Sequence, residues 1–166
     1  MSKRLNVPPY DQTPGNCGPT SLRSVLAYYG IERTEVQLIK LCKTDQTTPL
    51  PYTTPANIVH VAEGFGLEAS DQTGCDLADL ATWMDEGTPV IVEWDQHDEG
   101  VEKGSHYSTV VQVTDKVVKL QNPEPARVVT LSREDFERKW IRGRAIPIAL
   151  PSGSKLRRWA DRKAPA

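Results

Sequence analysis

Gly15-Asn16-Cys17-Gly18-Pro19-Thr20-Ser21-Leu22, continuing through Val25-Leu26-Ala27-Tyr28-Tyr29-Gly30, is the stretch from which the architecture can be read. Leu22, Val25, Leu26 and Tyr29 fall at helical spacing over Pro19 to Tyr29, and Gly30 supplies the stop. Three more helical patterns follow. Thr34 to Cys42 opens on a capping box, in which Thr34 and Gln37 can satisfy each other's free amides. Thr54-Pro55 starts a third helix, with the stripe Ile58, Val61, Ala62 and Phe65 ending by Gly66. Asp76 caps a fourth, with the stripe Leu77, Leu80, Ala81 and Met84, closed by Gly87.

Beyond Gly87 the period changes. Pro89 to Trp94 is a short apolar run of buried-strand type. His106 to Val113 and Lys116 to Gln121 read as a hairpin around Thr114-Asp115, and Arg127 to Leu131 as a further strand. A short helix from Ser132 to about Trp140 and a last strand from Arg144 to Leu150 complete the pattern. Helices first and an antiparallel sheet second predict an α+β fold.

Composition narrows the classes. A chain of 166 residues fits one domain, and 38% hydrophobic against 25% charged residues is enough for a core. No run approaches the 18 or so apolar residues that a spanning helix needs, and a net charge of −2 gives no global pull toward nucleic acid. Three cysteines without a CxxC pair exclude a disulfide scaffold and a structural zinc site. Free thiols and an N-terminus without a secretory stretch predict a reducing, cytoplasmic setting. Residues 151–166 hold Lys155, Arg157, Arg158, Arg162 and Lys163 against the single acid Asp161. They are expected to form a basic, flexible or weakly helical tail beyond a domain spanning 1–150.

Among the thiols, Cys17 stands out by position. Unpaired amides and the dipole at a helix start bias a thiol toward thiolate, and flanking glycines admit a substrate closely. The competing reading is a small buried residue in a tight turn. Cys42 lies on an apolar stripe with Leu38 and Leu41, and Cys75 just precedes a helix cap. A thiolate nucleophile needs a base, and the chain has three histidines. His60 is off the apolar face of its helix, and His97 sits in the polar run Asp95-Gln96-His97-Asp98-Glu99-Gly100. His106 begins a strand, where a sheet edge can present it to a cleft. If Val113-Thr114-Asp115 forms a three-residue loop, Val110 pairs with Val118, Ser108 with Leu120, and Asn122 lies directly opposite His106. An amide oxygen there can accept from one imidazole nitrogen and fix the ring. A two-residue turn would put Asn122 on the other face. Gln12, five residues before Cys17, carries the kind of side-chain amide that can help to build an oxyanion hole.

The stretch from Tyr10-Asp11-Gln12 through Cys17 to Gly30 resembles the nucleophile segment of papain-like cysteine peptidases. It is most similar to the bacteriocin-processing branch, which removes double-glycine leaders, and to its stand-alone relatives. The similarity continues through Gly66-Leu67, Gly87-Thr88-Pro89-Val90-Ile91-Val92, Gly104-Ser105-His106-Tyr107, Val118-x-Leu120-x-Asn122-Pro123, and Leu131-Ser132 with Phe136 and Trp140, roughly residues 8–150. The resemblance implies a papain-like fold with Cys17 as nucleophile, His106 as general base and acid, Asn122 as orienting residue and Gln12 as oxyanion donor. Asn122 stands where this branch usually carries Asp, and the Gln12-to-Cys17 spacing is slightly short.

The expected activity is hydrolysis of a peptide or isopeptide bond in a peptide or protein substrate, with no metal or organic cofactor. Glutamine deamidation or transglutaminase-type amide transfer would use the same residues. A catalytically silent peptide-binding module would retain the fold without needing Cys17 and His106 together. The run Asp95, Asp98, Glu99 and Glu102 ahead of His106 reads either as an acidic cleft rim favouring basic substrates or as a solvated loop.

Overall fold

The computed structural model of the chain describes residues 3–49, 51–96 and 105–163. Four helices precede most of the sheet: α1 (Cys17–Tyr28), α2 (Glu35–Leu41), α3 (Pro55–Gly64) and α4 (Leu77–Asp85). The strands are β1 (Glu68–Ala69), β2 (Val90–Asp95), β3 (Ser105–Val113), β4 (Val117–Pro123), β5 (Ala126–Ser132) and β6 (Trp140–Ala149). α5 (Arg133–Lys139) links β5 to β6, and α6 (Trp159–Lys163) lies in the C-terminal segment. All pairings are antiparallel, in the order β1-β6-β2-β3-β4-β5. This is the α+β arrangement expected from the change of period. β1 carries no sequence signal because two residues are too few to show alternation. β6 begins four residues earlier than expected, directly from α5, with Arg142 and Gly143 at positive φ.

Local chemistry sets the helix starts. Thr34 and Gln37 form the anticipated capping box, Asp76 and Asp79 form another, and Thr54 caps α3 with Pro55 next in line. The buried faces then meet the sheet. Leu22, Val25 and Leu26 of α1, Ile58 and Ala62 of α3 and Leu80 and Met84 of α4 are fully buried, as are Val90, Ile91, Val92, Val110, Leu120 and Ile146. The N-terminal segment joins this core through Leu5 and Val7.

The basic C-terminal segment also reaches the body. Leu156 and Trp159 pack against the core, and Arg162 donates to the carbonyls of Ala27 (3.3 Å) and Tyr28 (3.4 Å). Those carbonyls close α1, where the helix dipole favours a cation. Among the described residues, no helix is long and apolar enough to cross a membrane.

Candidate active site

Cys17 is the first residue of α1, two positions ahead of the start read from the apolar spacing, so Pro19 falls within the first turn, where a missing N–H costs nothing. Asn16 occupies the cap position, yet its side chain makes no cap bond. It donates instead to Thr13 Oγ1 (2.8 Å) and Gln46 Oε1 (3.2 Å), and Gln46 returns a bond to Asn16 Oδ1 (2.9 Å). The Cys17 and Gly18 amides therefore stay available to the Cys17 sulfur.

Two glycines hold this turn. Gly15 has φ +79°, and a Cβ there would lie 2.5 Å from a Pro51 ring carbon. A Cβ on Gly18 would come within 2.9 Å of Thr53 Cβ and 3.3 Å of the Tyr107 ring. The loop before Cys17 is fastened from below by the buried Glu35 at the start of α2. Its carboxylate accepts from the Thr13 N–H (2.8 Å), Thr13 Oγ1 (2.7 Å) and Thr20 Oγ1 (2.7 Å). The sequence shows Glu35 only as part of a capping box. Nothing local marks it as buried.

The sheet supplies the second half. His106 Nε2 and Asn122 Oδ1 are 2.6 Å apart, and both residues are buried. An amide oxygen only accepts, so Nε2 carries the proton of this bond. Backbone fixes which way the amide points: Asn122 Nδ2 donates to the Glu124 carbonyl (3.3 Å), while the Glu124 N–H donates to Oδ1 (3.4 Å). Ser108 Oγ also donates to Oδ1 (3.3 Å) and accepts from Trp94 Nε1 (2.9 Å), with the Trp94 ring edge-on to His106. Ser108 lies two residues beyond His106 on the same strand face, and Trp94 pairs with His106 across β2 and β3.

The register that brings His106 and Asn122 together differs from the one expected. The turn spans Thr114–Val117, with the Thr114 N–H donating to the Val117 carbonyl (2.8 Å), and Val113 pairs with Val118. An unbroken ladder from that turn would set Asn122 against Thr109, on the face away from His106. The register instead shifts between Val110 and Gln112, so that Val110 pairs with Leu120 and Thr109 with Gln121. Val111 is the extra residue of a β-bulge, and its carbonyl accepts from the Leu5 N–H (2.8 Å). The next step sets Asn122 level with Ser108, diagonal to His106 on one face. The partnership holds, although the pairing expected from a three-residue loop does not.

Helix and sheet meet at the sulfur. The Tyr107 N–H, next to His106, donates to Cys17 Sγ at 3.5 Å. Burial pushes the Cys17 thiol from an ordinary 9.0 up to about 11. The Tyr107, Gly18 and Cys17 amides oppose that rise, and the Glu124 charge adds to it. Gln12 is half-buried. Its backbone N–H donates to the Pro123 carbonyl (2.9 Å) and its Nε2 to the Thr13 carbonyl (3.3 Å). It thus sits at the end of β4, beside Asn122. Among the other candidates, His60 is exposed, Cys42 buried and Cys75 half-buried. His97, Asp98, Glu99 and Glu102 lie outside the described residues.

Known proteins add their weight here. The model of the Peptidase_C39 like family matches residues 4–146. ComA of Streptococcus pneumoniae, a transport/processing ATP-binding protein, is 32% identical over 145 residues, which cover 84% of this chain. The chain spans 18% of the length of that curated relative. The crystal structure of the peptidase domain of Streptococcus ComA superposes with a TM-score of 0.70 at 28% identity, covering 88% of this chain and 100% of that one. A double glycine motif protease from an AMS/PCAT transporter, crystallised with a leader peptide, superposes with a TM-score of 0.71 at 23% identity, covering 90% and 95%. The chain belongs to the Peptidase_C39 like family, and its body is a C39-type cysteine peptidase domain of α+β, papain-like fold.

Proposed function

We propose that the chain hydrolyses a peptide bond in a peptide or protein substrate through Cys17, His106 and Asn122, with Gln12 assisting. The observation that carries this reading is the 2.6 Å His106–Asn122 bond, in a strand whose next amide donates to Cys17 Sγ. His106 Nδ1 takes the Cys17 proton as the sulfur attacks the carbonyl carbon. The Cys17 N–H and the Gln12 side-chain amide donate to the oxyanion that develops. His106 then returns the proton to the leaving amine as the C–N bond breaks, leaving a thioester on Cys17. Water, deprotonated by His106, attacks the thioester and releases the acid. A thiol near 11 is almost entirely protonated at neutral pH, so Cys17 relies on His106 to become a nucleophile.

Double-glycine leader peptides are the first substrates to try, since one related structure holds a leader peptide. A cytoplasm-facing setting suits three unpaired thiols. The test is incubation of the purified chain with such peptides, read by mass spectrometry. Two fragments from the unaltered chain and none from Cys17→Ala are expected. An intact peptide about one dalton heavier would replace hydrolysis by deamidation. Chloroacetamide labelling of Cys17 at equal rates in the unaltered chain and in His106→Ala would sink the reading altogether.

A further inference from the structure

One charged group stands at the site that the proposed chemistry leaves unused. Glu124 follows Asn122 and Pro123 at the end of β4, and its side chain is exposed. Its backbone pins the Asn122 amide, as described above. Its carboxylate accepts from Gln96 Nε2 (3.4 Å), and Gln96 Oε1 accepts from Asn122 Nδ2 (3.5 Å). The carboxylate is thus one side chain removed from the partner of His106, and its charge is felt at the Cys17 sulfur. Other charged residues lie nearby. Asp11 Oδ1 accepts from the Ala126 N–H (2.8 Å), and Arg127 pairs with Asn122 across β4 and β5. Asp95 ends β2, just before Gln96.

We propose that Glu124 is a specificity-determining residue, favouring substrates with a positively charged side chain beside the scissile bond. The inference rests on Cys17 being the nucleophile. An exposed carboxylate facing a substrate cation supplies roughly a threefold to tenfold preference at low ionic strength. That contribution shrinks as salt shortens the screening length.

Methanethiosulfonates of different charge test it without a known substrate. The Cys17 sulfur attacks the sulfenyl sulfur, a disulfide forms and methanesulfinate leaves, so no outside oxidant is needed. In a Cys75→Ser background, with Cys17 modification read by mass spectrometry, we compare trimethylammonium-ethyl, sulfonatoethyl and methyl reagents. Each rate is divided by that with a small free thiol. The cationic-to-anionic ratio should fall about threefold to tenfold in Glu124→Gln, stay high in Glu124→Asp, and converge on the Glu124→Gln value in about 1 M salt. Because the ratio is internal, a general loosening of the site by the substitution cancels. A ratio unmoved by Glu124→Gln overturns the proposal. So does an unchanged preference of that variant between peptides differing only by Arg or Gln beside the cleaved bond. Failure of all three reagents to modify Cys17 instead removes the nucleophile reading, and this proposal with it.

Discussion

Cys17 and Cys42 pose the same physical problem and resolve it differently. Both thiols are raised by burial, Cys17 to about 11 and Cys42 to about 12. Around Cys42 burial is the sole influence on the sulfur, and Asn57 Nδ2 bonds only its backbone carbonyl (2.9 Å). Around Cys17 the Tyr107 N–H donates to the sulfur, the Gly18 and Cys17 amides also oppose the rise, and the strand carrying His106 passes beside it. A low resting pKa is therefore not what separates a candidate nucleophile from a core cysteine. Donors for an anion and a base for the proton are.

The largest expected effect breaks that comparison outright. Cys17→Ala should lower peptide cleavage by at least about 10⁴-fold, whereas Cys42→Ala should leave kcat intact. Parallel losses in both variants would mean that Cys42 is more than core. Next comes His106→Ala, read by alkylation of Cys17 against pH. Without the imidazole the alkylation rate should climb with pH toward a midpoint near 11, while the unaltered chain reacts readily at neutral pH. At pH 7 only about one resting thiol in 10⁴ is ionised, so reaction there reports proton transfer to His106. Matching profiles would show that His106 does not serve the sulfur. Asn122→Ala ranks third, with an expected loss of about 10- to 100-fold in kcat and little change in KM, because the residue orients His106 without touching substrate. A pure KM effect would move Asn122 into substrate binding.

The two regions also differ in how much of them the sequence discloses. Helices, caps and the nucleophile's place at a helix start were legible because each signal is local. Thr34 and Gln37 sit three residues apart, and glycine stops close three of the stripes. The sheet half is harder. Whether Asn122 faces His106 depends on a bulge at Val111, and the carbonyl freed there is satisfied by Leu5, far away in sequence. Spacing alone allowed either face, and the resemblance to a family decided between them where turn chemistry did not. Ser108 and Trp94 were missed for the same reason, since the bond from Ser108 to the Asn122 amide and the one from Trp94 to Ser108 exist only once the strands are in register. Glu35 was missed because burial of a carboxylate against Thr13 and Thr20 leaves no trace in a helix-start pattern.

Glu35→Ala sharpens the contrast from the helical side. Three donors lose their acceptor, and the fully buried Thr20 hydroxyl cannot turn to water. Unfolding in urea should show a loss of about 2–3 kcal/mol. Glu35→Gln, which keeps one carbonyl oxygen, should lose less. An unmoved midpoint for Glu35→Ala would mean that the loop ahead of Cys17 is held by Gly15, Pro51 and Gln46 instead.

The smallest effect belongs to Cys42→Ala, and its pH dependence is more telling than its size. Removing a buried sulfur from a packed site should cost about 1 kcal/mol at pH 7. The folded chain keeps the Cys42 proton up to about 12, whereas an unfolded chain releases it near the ordinary 9.0. The native state then binds more protons, so stability falls as pH rises through that window. The contribution is fully present below about 9 and is lost by about 12. Cys42→Ala should make the alkaline decline shallower by about 1.4 kcal/mol per pH unit between those values, measured by urea unfolding. Cys17→Ala provides the control that separates the two environments. Backbone amides, that of Tyr107 first, partly oppose the rise at its sulfur, so replacing it should change the slope over a narrower window, closing nearer to 11. Equal windows for the two substitutions would mean that the donors around Cys17 do nothing for its anion in the resting protein, and that only substrate binding brings them into play.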